Sequence, residues 1–249
     1  MAQIGKELKR SKIIFKKEKL AMVEMNVHIK FIESALGTAP GDKEIYSRFI
    51  GSKAPDANSM EEEVAALGVD EMVEKGTTIY PKLSDGTPFI WDYQIKGFFK
   101  DACGSLRRLT GKDEETGKKK KAVNESSKLT AYKTVIDTLI FAEPRRIPIK
   151  LNGEMTICQR PLRAETMQGP RIALASSEEI PAGSEMWFKV ICMSEDHVKA
   201  VVEWLDYGYW RGISQWRNSG KGRFVYEVLK KDGTTLFGNM ELAKSYMGA

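Results

Sequence analysis

The stretch Val23-Glu24-Met25-Asn26-Val27-His28-Ile29-Lys30-Phe31 alternates apolar and polar side chains. A period of two is typical of a β-strand, because successive side chains point to opposite faces of the sheet. The odd-numbered face is apolar and is expected to lie on a core. The even-numbered face is polar, so we expect this side of the sheet to face solvent or a ligand. His28 lies on the polar face, and two interpretations stay open: an exposed histidine without a role, or a nucleic-acid contact or general base.

Two amphipathic helices are predicted downstream of this strand. The first begins at Asp92 as N-cap and ends at Gly111, and its apolar residues recur at steps of three and four. These residues are Ile95, Phe98, Phe99, Ala102, Leu106 and Leu109. The second begins after Ser194 and ends at Gly208, where a left-handed C-terminal residue is favoured. A further helix is predicted from Ser127 to about Leu139, with Leu129, Tyr132, Ile136 and Leu139 facing inward.

Short strands fill the second half of the chain. They are predicted from Ala142 onward, over 186–193 and over 223–230, with a small hairpin around Asp232-Gly233. The order is therefore strand, helix, strands, strand, helix, strand. This order predicts an α+β fold of the ferredoxin-like (RRM-like) kind, an antiparallel sheet with two covering helices and large insertions.

Four further segments accompany this unit within what we expect to be a single domain over 1–249. Residues 1–19 form a basic leader, and 34–88, punctuated by glycine and proline, is interpreted as an insertion. Residues 111–128 contain four consecutive lysines and are either a flexible solvated loop or a flap that contacts nucleic acid. Residues 143–180 are interpreted as a basic hairpin region.

The composition excludes several classes of protein. The chain has 42% hydrophobic and 29% charged residues, as globular proteins do, and a formal net charge of +5. It contains no apolar stretch of about 18 residues, so we expect no membrane association and a cytoplasmic location. Cys103, Cys158 and Cys192 are too far apart for a disulfide framework or paired zinc ligands, so no metal or other cofactor is expected. Phosphate-binding P-loops, nucleophile elbows and zinc-protease motifs are absent from the sequence.

The stretch Tyr207-Gly208-Tyr209-Trp210-Arg211-Gly212-Ile213-Ser214-Gln215-Trp216-Arg217-Asn218-Ser219-Gly220-Lys221-Gly222-Arg223-Phe224 combines glycines, cations and tryptophans, and no acid occurs between Tyr207 and Tyr226. Glycines let backbone amides approach a phosphate, and cations neutralise it. Trp210 and Trp216 can stack on bases. The alternative is a glycine-rich turn with core tryptophans and solvated arginines. Together, the glycines, cations and tryptophans favour a single-stranded polynucleotide over a free nucleotide.

At this position the loop resembles that of the RAMP superfamily, proteins that form CRISPR effector backbones and process CRISPR RNA. The family pattern is Gly-hydrophobic-Gly, five residues, Gly-hydrophobic-Gly; here Gly212-Ile213-Ser214 and Gly220-Lys221-Gly222 match it in four features and depart in Ser214 and Lys221. The stretch 94–100 is similar to the family's Ser-Leu-Lys-Gly-x-x-Arg. The turn at 180–184 is also common in the family. The resemblance covers 90–110 and 180–230 and is greatest to the backbone subunits that coat a guide RNA.

The resemblance implies that copies line up along an RNA and hold its phosphates. It implies phosphate contacts by Lys96, Lys100, Gly220, Lys221, Gly222 and Arg223, although Lys96 has an alternative as an ordinary exposed helix cation. The composition adds Arg211, Arg217 and Trp216, with Arg160 and Arg163 as further candidates. No catalytic residue is assigned, because His28 and His197 are lone histidines and general acid/base chemistry needs converging groups.

Three functional hypotheses follow. The first is a non-catalytic protein that binds single-stranded RNA or DNA and oligomerises along the strand. The second is a protein of a phage or other mobile element that mimics a CRISPR backbone subunit and interacts with an effector complex of antiviral defence. The third is an endoribonuclease of the kind that processes CRISPR RNA.

Overall fold

The computed structural model describes residues 22–41, 77–112, 119–121, 124–166, 169–230 and 233–246. Its strands are β1 (Val23–Phe31), β2 (Ala35–Leu36), β3 (Ala39–Pro40), β4 (Thr78–Ile79), β5 (Phe89–Trp91), β6 (Thr110–Lys112), β7 (Lys119–Lys121), β8 (Ile140–Glu143), β9 (Arg146–Lys150), β10 (Thr156–Thr166), β11 (Gly169–Ile180), β12 (Glu185–Cys192), β13 (Phe224–Leu229) and β14 (Thr235–Gly238). Its α-helices are α1 (Asp92–Leu106), α2 (Glu125–Lys128), α3 (Tyr132–Leu139), α4 (Val198–Arg211) and α5 (Glu241–Tyr246), with 3-10 turns at Glu195–His197 and Arg217–Ser219.

The larger sheet has seven strands in the order β14-β13-β1-β12-β9-β5, and β8 also pairs with β12. β1 lies between β12 and β13 and is antiparallel to both. β13, β1, β12 and the pair β8 and β9 thus have the spatial order of a ferredoxin-like sheet, and α1 and α4 are the two connecting helices. The predicted α+β, ferredoxin-like class is confirmed.

The core lies between this sheet and the two helices. Met25, Val27, Ile29 and Phe31 of β1 are all at most 3% exposed, whereas the polar residues of the strand face away from the helices. Burial of these four side chains provides about 1.5–3 kcal/mol each of hydrophobic stabilisation. The alternation in β1 therefore fixes which face of the sheet α1 and α4 cover.

A second, five-stranded sheet has the order β10-β11-β4-β3, with β2 paired to β11. The long β10–β11 hairpin comes from the predicted hairpin region, and the short strands β2, β3 and β4 come from the predicted insertion. These two segments of the sequence therefore form one layer. In the predicted flap, β6 and β7 pair as a hairpin, and α2 follows β7 in the chain. The leader lies outside the described residues.

The second predicted helix does not end at Gly208. α4 continues to Arg211, and Gly212, with φ +72°, ends it. Gly208 lies inside α4, where a Cβ would come within 2.0 Å of the Phe224 ring. The glycine thus serves close packing of helix on strand and not a left-handed turn.

Two other helix predictions were also wrong in part. α1 has Trp91 as its N-cap and ends at Leu106, so Leu109 lies beyond it and is 51% exposed. The helix predicted over 127–139 is divided into α2 and α3 at Ala131, which has φ +46°. Leu139 at the end of α3 is 37% exposed, not inward-facing. Within the described ranges, no helix is both long enough and apolar enough to cross a membrane.

Candidate nucleic-acid interface

The loop from Gly212 to Arg223 is closed by the contact of its two ends. Ile213 N–H donates to the Gly222 carbonyl at 2.9 Å. Both end glycines have φ +72°, and a Cβ on Gly222 would lie 1.9 Å from the Ile213 carbonyl oxygen. Gly220 has φ +85° and ends the 3-10 turn. These glycines are therefore required by the conformation of the loop itself.

The loop joins the two sheets. The Ser214 hydroxyl donates to the Leu36 carbonyl, and the Gln215 amide donates to the Gly37 carbonyl at 2.6 Å. Gly222 N–H donates to the Ser34 carbonyl at 2.8 Å. The positions that this loop contacts belong to the segment that the sequence suggested was an insertion.

Lys221 is paired with a carboxylate that the sequence of the loop does not contain. Its ammonium lies 2.5 Å from Glu179 Oε1 and 2.6 Å from the Ser34 hydroxyl. Burial alone would raise the pKa of Glu179, but the hydrogen bonds from Lys221 and Ser34 outweigh burial and hold the pKa below its ordinary value. Glu179 is therefore a charged partner that holds Lys221 against β11.

Arg211 and Arg217 share one carboxylate oxygen of α1. Arg217 donates to Asp101 Oδ2 at 2.7 Å, and Arg211 Nε donates to the same oxygen at 3.2 Å. Arg211 also donates to the Asn218 side-chain oxygen at 2.7 Å. Two guanidinium groups thus converge on a single negative charge, about a quarter of each arginine side chain being exposed.

Arg223 lies among aromatic side chains at the end of the loop. It donates to the Tyr209 carbonyl at 2.6 Å and to the Tyr246 hydroxyl at 3.0 Å. Its guanidinium lies 5.9 Å from the centre of the Trp210 ring. Trp210 is 72% exposed, so its indole is available to a ligand.

Trp216 lies within the loop and is 41% exposed, whereas Trp210 lies in the last turn of α4. The Arg160 guanidinium lies 5.3 Å from its ring centre, within the range of a cation–π contact. Arg160 is nearly buried and donates to the Gln215 side chain at 2.9 Å. Arg160 therefore fixes one side of the Trp216 ring. Arg163 lies further along β10, paired with Ile172, and the structure describes its backbone only.

Lys96 and Lys100 contact α3. Lys96 donates to the Asp137 carbonyl at 3.1 Å and lies 4.6 Å from the Phe141 ring centre; burial lowers the pKa of its ammonium. Lys100 forms an ion pair with the Asp137 carboxylate. The structure therefore divides the predicted site. Arg160 contacts the loop at Gln215 and Trp216, whereas Lys96 and Lys100 contact α3.

Sequence reasoning missed Asp101 and Glu179, the two acids that the structure brings to the loop. Arg211 at the end of α4, with Arg217 and Lys221 of the loop, is paired with these two carboxylates. Arg223 instead donates to the Tyr209 carbonyl and the Tyr246 hydroxyl. These four cations outnumber the two acids beside two exposed indoles. Among the described residues, no group of three His, Cys, Asp or Glu side chains could hold a metal ion. The arrangement can bind an anion that carries planar groups.

No protein-family model matches the chain, and no curated protein matches it. Among solved structures, the chain is similar to one in the cryo-EM structure of the type III-B Cmr-beta complex bound to cognate target RNA, with 12% sequence identity and a TM-score of 0.47. The match covers 92% of this chain and 67% of that chain. At this identity and TM-score, the likeness assigns neither a family nor a function to the present protein. The resemblance of its loop to the RAMP superfamily stays a prediction.

Proposed function

We propose that this protein binds single-stranded nucleic acid, RNA in particular, through the loop 212–223, without cleaving it, and that copies oligomerise along the strand. One observation carries the proposal: two exposed tryptophans, Trp210 in the last turn of α4 and Trp216 within the loop, each have an arginine guanidinium within 6 Å of the ring.

The tryptophans supply the contacts that are specific to unpaired bases. An indole stacked on a base contributes about 1–3 kcal/mol, and the contact tolerates any base because each has a π-face. Bases inside a duplex are not available for such stacking. Trp216, held on one side by Arg160, and Trp210, beside Arg223, therefore favour a single strand over a duplex.

The arginines and Lys221 contact phosphates when each exchanges its carboxylate partner for a phosphate. In the free protein, Asp101 holds Arg211 and Arg217, and Glu179 holds Lys221. The side chains of these pairs are 15–31% exposed. Ion pairs that remain in contact with solvent contribute only about 0–1 kcal/mol each, so a phosphate can replace a carboxylate. Bidentate guanidinium–phosphate contacts are stronger than neutral hydrogen bonds.

Binding of the full chain to a fluorescent 20-nucleotide oligouridine, measured by anisotropy, tests the proposal. Trp216→Ala is expected to weaken binding about tenfold, in the range of one stacked base. Leu236→Ala is the matched control, because Leu236 is an exposed apolar residue on β14, 49% accessible, and it should leave affinity unchanged.

A second pair of matched variants tests the contribution of positive charge to binding. Arg217→Gln removes a cation that is 2.7 Å from Asp101, and Lys128→Gln removes one that is 2.6 Å from Glu125 on α2. We expect only Arg217→Gln to weaken binding and to reduce its dependence on salt, by about 0.7 in the logarithmic slope for one lost phosphate contact on a single strand.

Five outcomes would contradict parts of the proposal. Absence of binding at low salt, or equal loss in both members of a pair, would refute the interface. Cleavage of the RNA, lost in His28→Ala, would indicate an endoribonuclease. Particles whose size does not grow with strand length would refute oligomerisation, and binding to a CRISPR effector complex in place of nucleic acid would favour the protein mimic.

A further inference from the structure

The open face of the larger sheet carries a stacked pair of rings that the loop does not involve. His28 of β1 and Trp187 of β12 lie directly opposite each other in the ladder. Their rings are 4.5 Å apart between centres and nearly parallel, at 6°. Trp187 is nevertheless 42% exposed, so much of the indole remains accessible beside the histidine.

The histidine is fixed from the neighbouring strand. Glu227 of β13 lies 2.8 Å from His28 Nδ1, and Glu185 lies 3.9 Å from Nε2. Nε2 itself is buried and has no hydrogen-bond partner in the structure. The stacked pair is thus held in place by the sheet and does not need a ligand to set its orientation.

Trp187 forms a wall between two open cavities. One, of about 630 Å³, crosses the sheet from Leu229 past Asn26 to Arg145 and Lys189. The other, of about 570 Å³, lies between Trp187 and Lys150. Both volumes are in the range of small-molecule sites, which usually combine an apolar or aromatic wall with a few polar groups.

The polar groups around the indole include cations placed for an anion beside a planar group. The Lys150 ammonium lies 5.8 Å from the centre of the Trp187 ring. Lys189, two residues along the same strand, pairs with Glu24 at 3.2 Å and lines the first cavity. Glu185 likewise lies 3.9 Å from the Lys150 ammonium, so each of these cations has a carboxylate beside it and the face as a whole is not suited to a long polyanion. It is suited to one planar group with one phosphate.

We propose that Trp187 is the stacking platform of a second site, which takes a single nucleotide unit on the open face of the sheet. The base stacks on the exposed indole, and the phosphate lies toward Lys150 or Lys189. The nucleotide is either one unit of a bound strand or a free mononucleotide, since both present the same base and phosphate. This site is separate from the loop interface and does not depend on it.

Photocrosslinking with 5-bromouridine tests the site directly in the wild-type protein. The full chain is irradiated with 5-bromo-UMP, and separately with a 12-nucleotide oligomer that contains 5-bromouridine, and crosslinked tryptic peptides are identified by mass spectrometry. We expect modification of Trp187 within the tryptic peptide 172–189 with at least one of the two probes. The modified residue is located by fragmentation, because the same peptide contains Glu179, which contacts the loop. Modification by 5-bromo-UMP indicates a mononucleotide site, and modification by the oligomer alone indicates a site for a strand.

Variants complete the test. Trp187→Ala is expected to weaken binding of the reactive probe about tenfold, as for one stacked base, and Trp187→Phe to restore most of it. Phe237→Ala, which removes an aromatic residue of similar exposure on β14, should have no effect.

Crosslinks confined to the loop peptides, with wild-type affinity in Trp187→Ala, would overturn the second site and leave the loop interface standing. Crosslinks at Trp187 with unchanged affinity in Trp216→Ala would refute the loop interface and support the second site. Absence of any binding would overturn both.

Discussion

Replacement of Asp101 by asparagine is expected to lower the stability of the protein and to tighten its binding to single-stranded nucleic acid. Asp101 accepts hydrogen bonds from Arg217 at 2.7 Å and from Arg211 at 3.2 Å, both on Oδ2. Asparagine has nearly the same shape and retains a carbonyl oxygen that can accept one of these bonds. The substitution therefore removes the negative charge and leaves much of the local packing in place.

The magnitude follows from the exposure of the three side chains, 31% for Asp101 and 26% for each arginine. At this exposure two ion pairs contribute about 1 kcal/mol together, with most of that Coulombic and screened by salt. For a chain of this length, a loss of about 1 kcal/mol lowers the melting temperature by about 2–4 °C. If a phosphate must displace the carboxylate on binding, the same 1 kcal/mol strengthens binding by about fivefold.

Anisotropy with fluorescent oligouridine and thermal unfolding followed by circular dichroism measure the two effects on the same preparation. Glu125→Gln on α2 is the matched control, since it removes one negative charge paired with Lys128 at 2.6 Å. We expect the control to change affinity by less than about twofold, because Glu125 is paired with Lys128 and not with a cation of the proposed interface. Weaker or unchanged nucleic-acid binding in Asp101→Asn, at an intact fold, would refute the competition between carboxylate and phosphate.

Three further predictions concern the loop, pH and the thiols. Gly222→Ala is expected to lower the free energy of unfolding, measured in urea, by more than about 3 kcal/mol, because strain from its positive φ adds to a backbone clash. The control is Gly86→Ala, at φ +85° with open space around it, which should lower the free energy of unfolding by only about 1–2 kcal/mol. Glu179→Gln should be less stable than wild type at pH 7 but not in acid. The pKa of Glu179 in the folded protein is below its ordinary value of 4.5, so its carboxylate stabilises the fold above pH 4.5, and this stabilisation is lost as the pH falls. Equal dependence of the unfolding free energy on pH in the two proteins, measured in urea, would contradict this. Iodoacetamide at pH 8 should label Cys158 before Cys192, because Cys192 is buried and burial raises the pKa of its thiol to about 12. Peptide mapping that shows the reverse order of labelling would contradict this prediction.

The elements that the sequence predicted well are those in which one local pattern determines one face. The alternation over 23–31 specified the central strand and its buried side, since a period of two leaves no other arrangement for a half-buried segment. The helix predictions failed at their ends. Gly208 has the composition of a helix C-terminus, but its lack of a side chain serves the Phe224 ring on another element, which a local pattern does not reveal.

The candidate site was predictable in its cations and not in their partners. The absence of acids between residues 207 and 226 is visible in the sequence itself. Asp101 and Glu179 come from a helix and a strand far away in sequence, and only the packing of α1 and β11 against the loop brings them to it. Charge that is unpaired along a sequence can therefore be paired in space, and no signal within the loop indicates this.

This pairing divides the expected contributions of the loop residues to binding. Trp210 and Trp216 are exposed in the free protein, so stacking on a base requires no internal contact to break. Lys221 holds the loop to β11 through Glu179, and Arg217 holds it to α1, so each phosphate contact there replaces an existing ion pair. The net gain from a phosphate is accordingly small, whereas the gain from a stacked base is retained in full. We therefore expect the tryptophans to determine the affinity and the cations to determine its salt dependence, and capture of phosphate by Lys221 to loosen the contact between the two sheets.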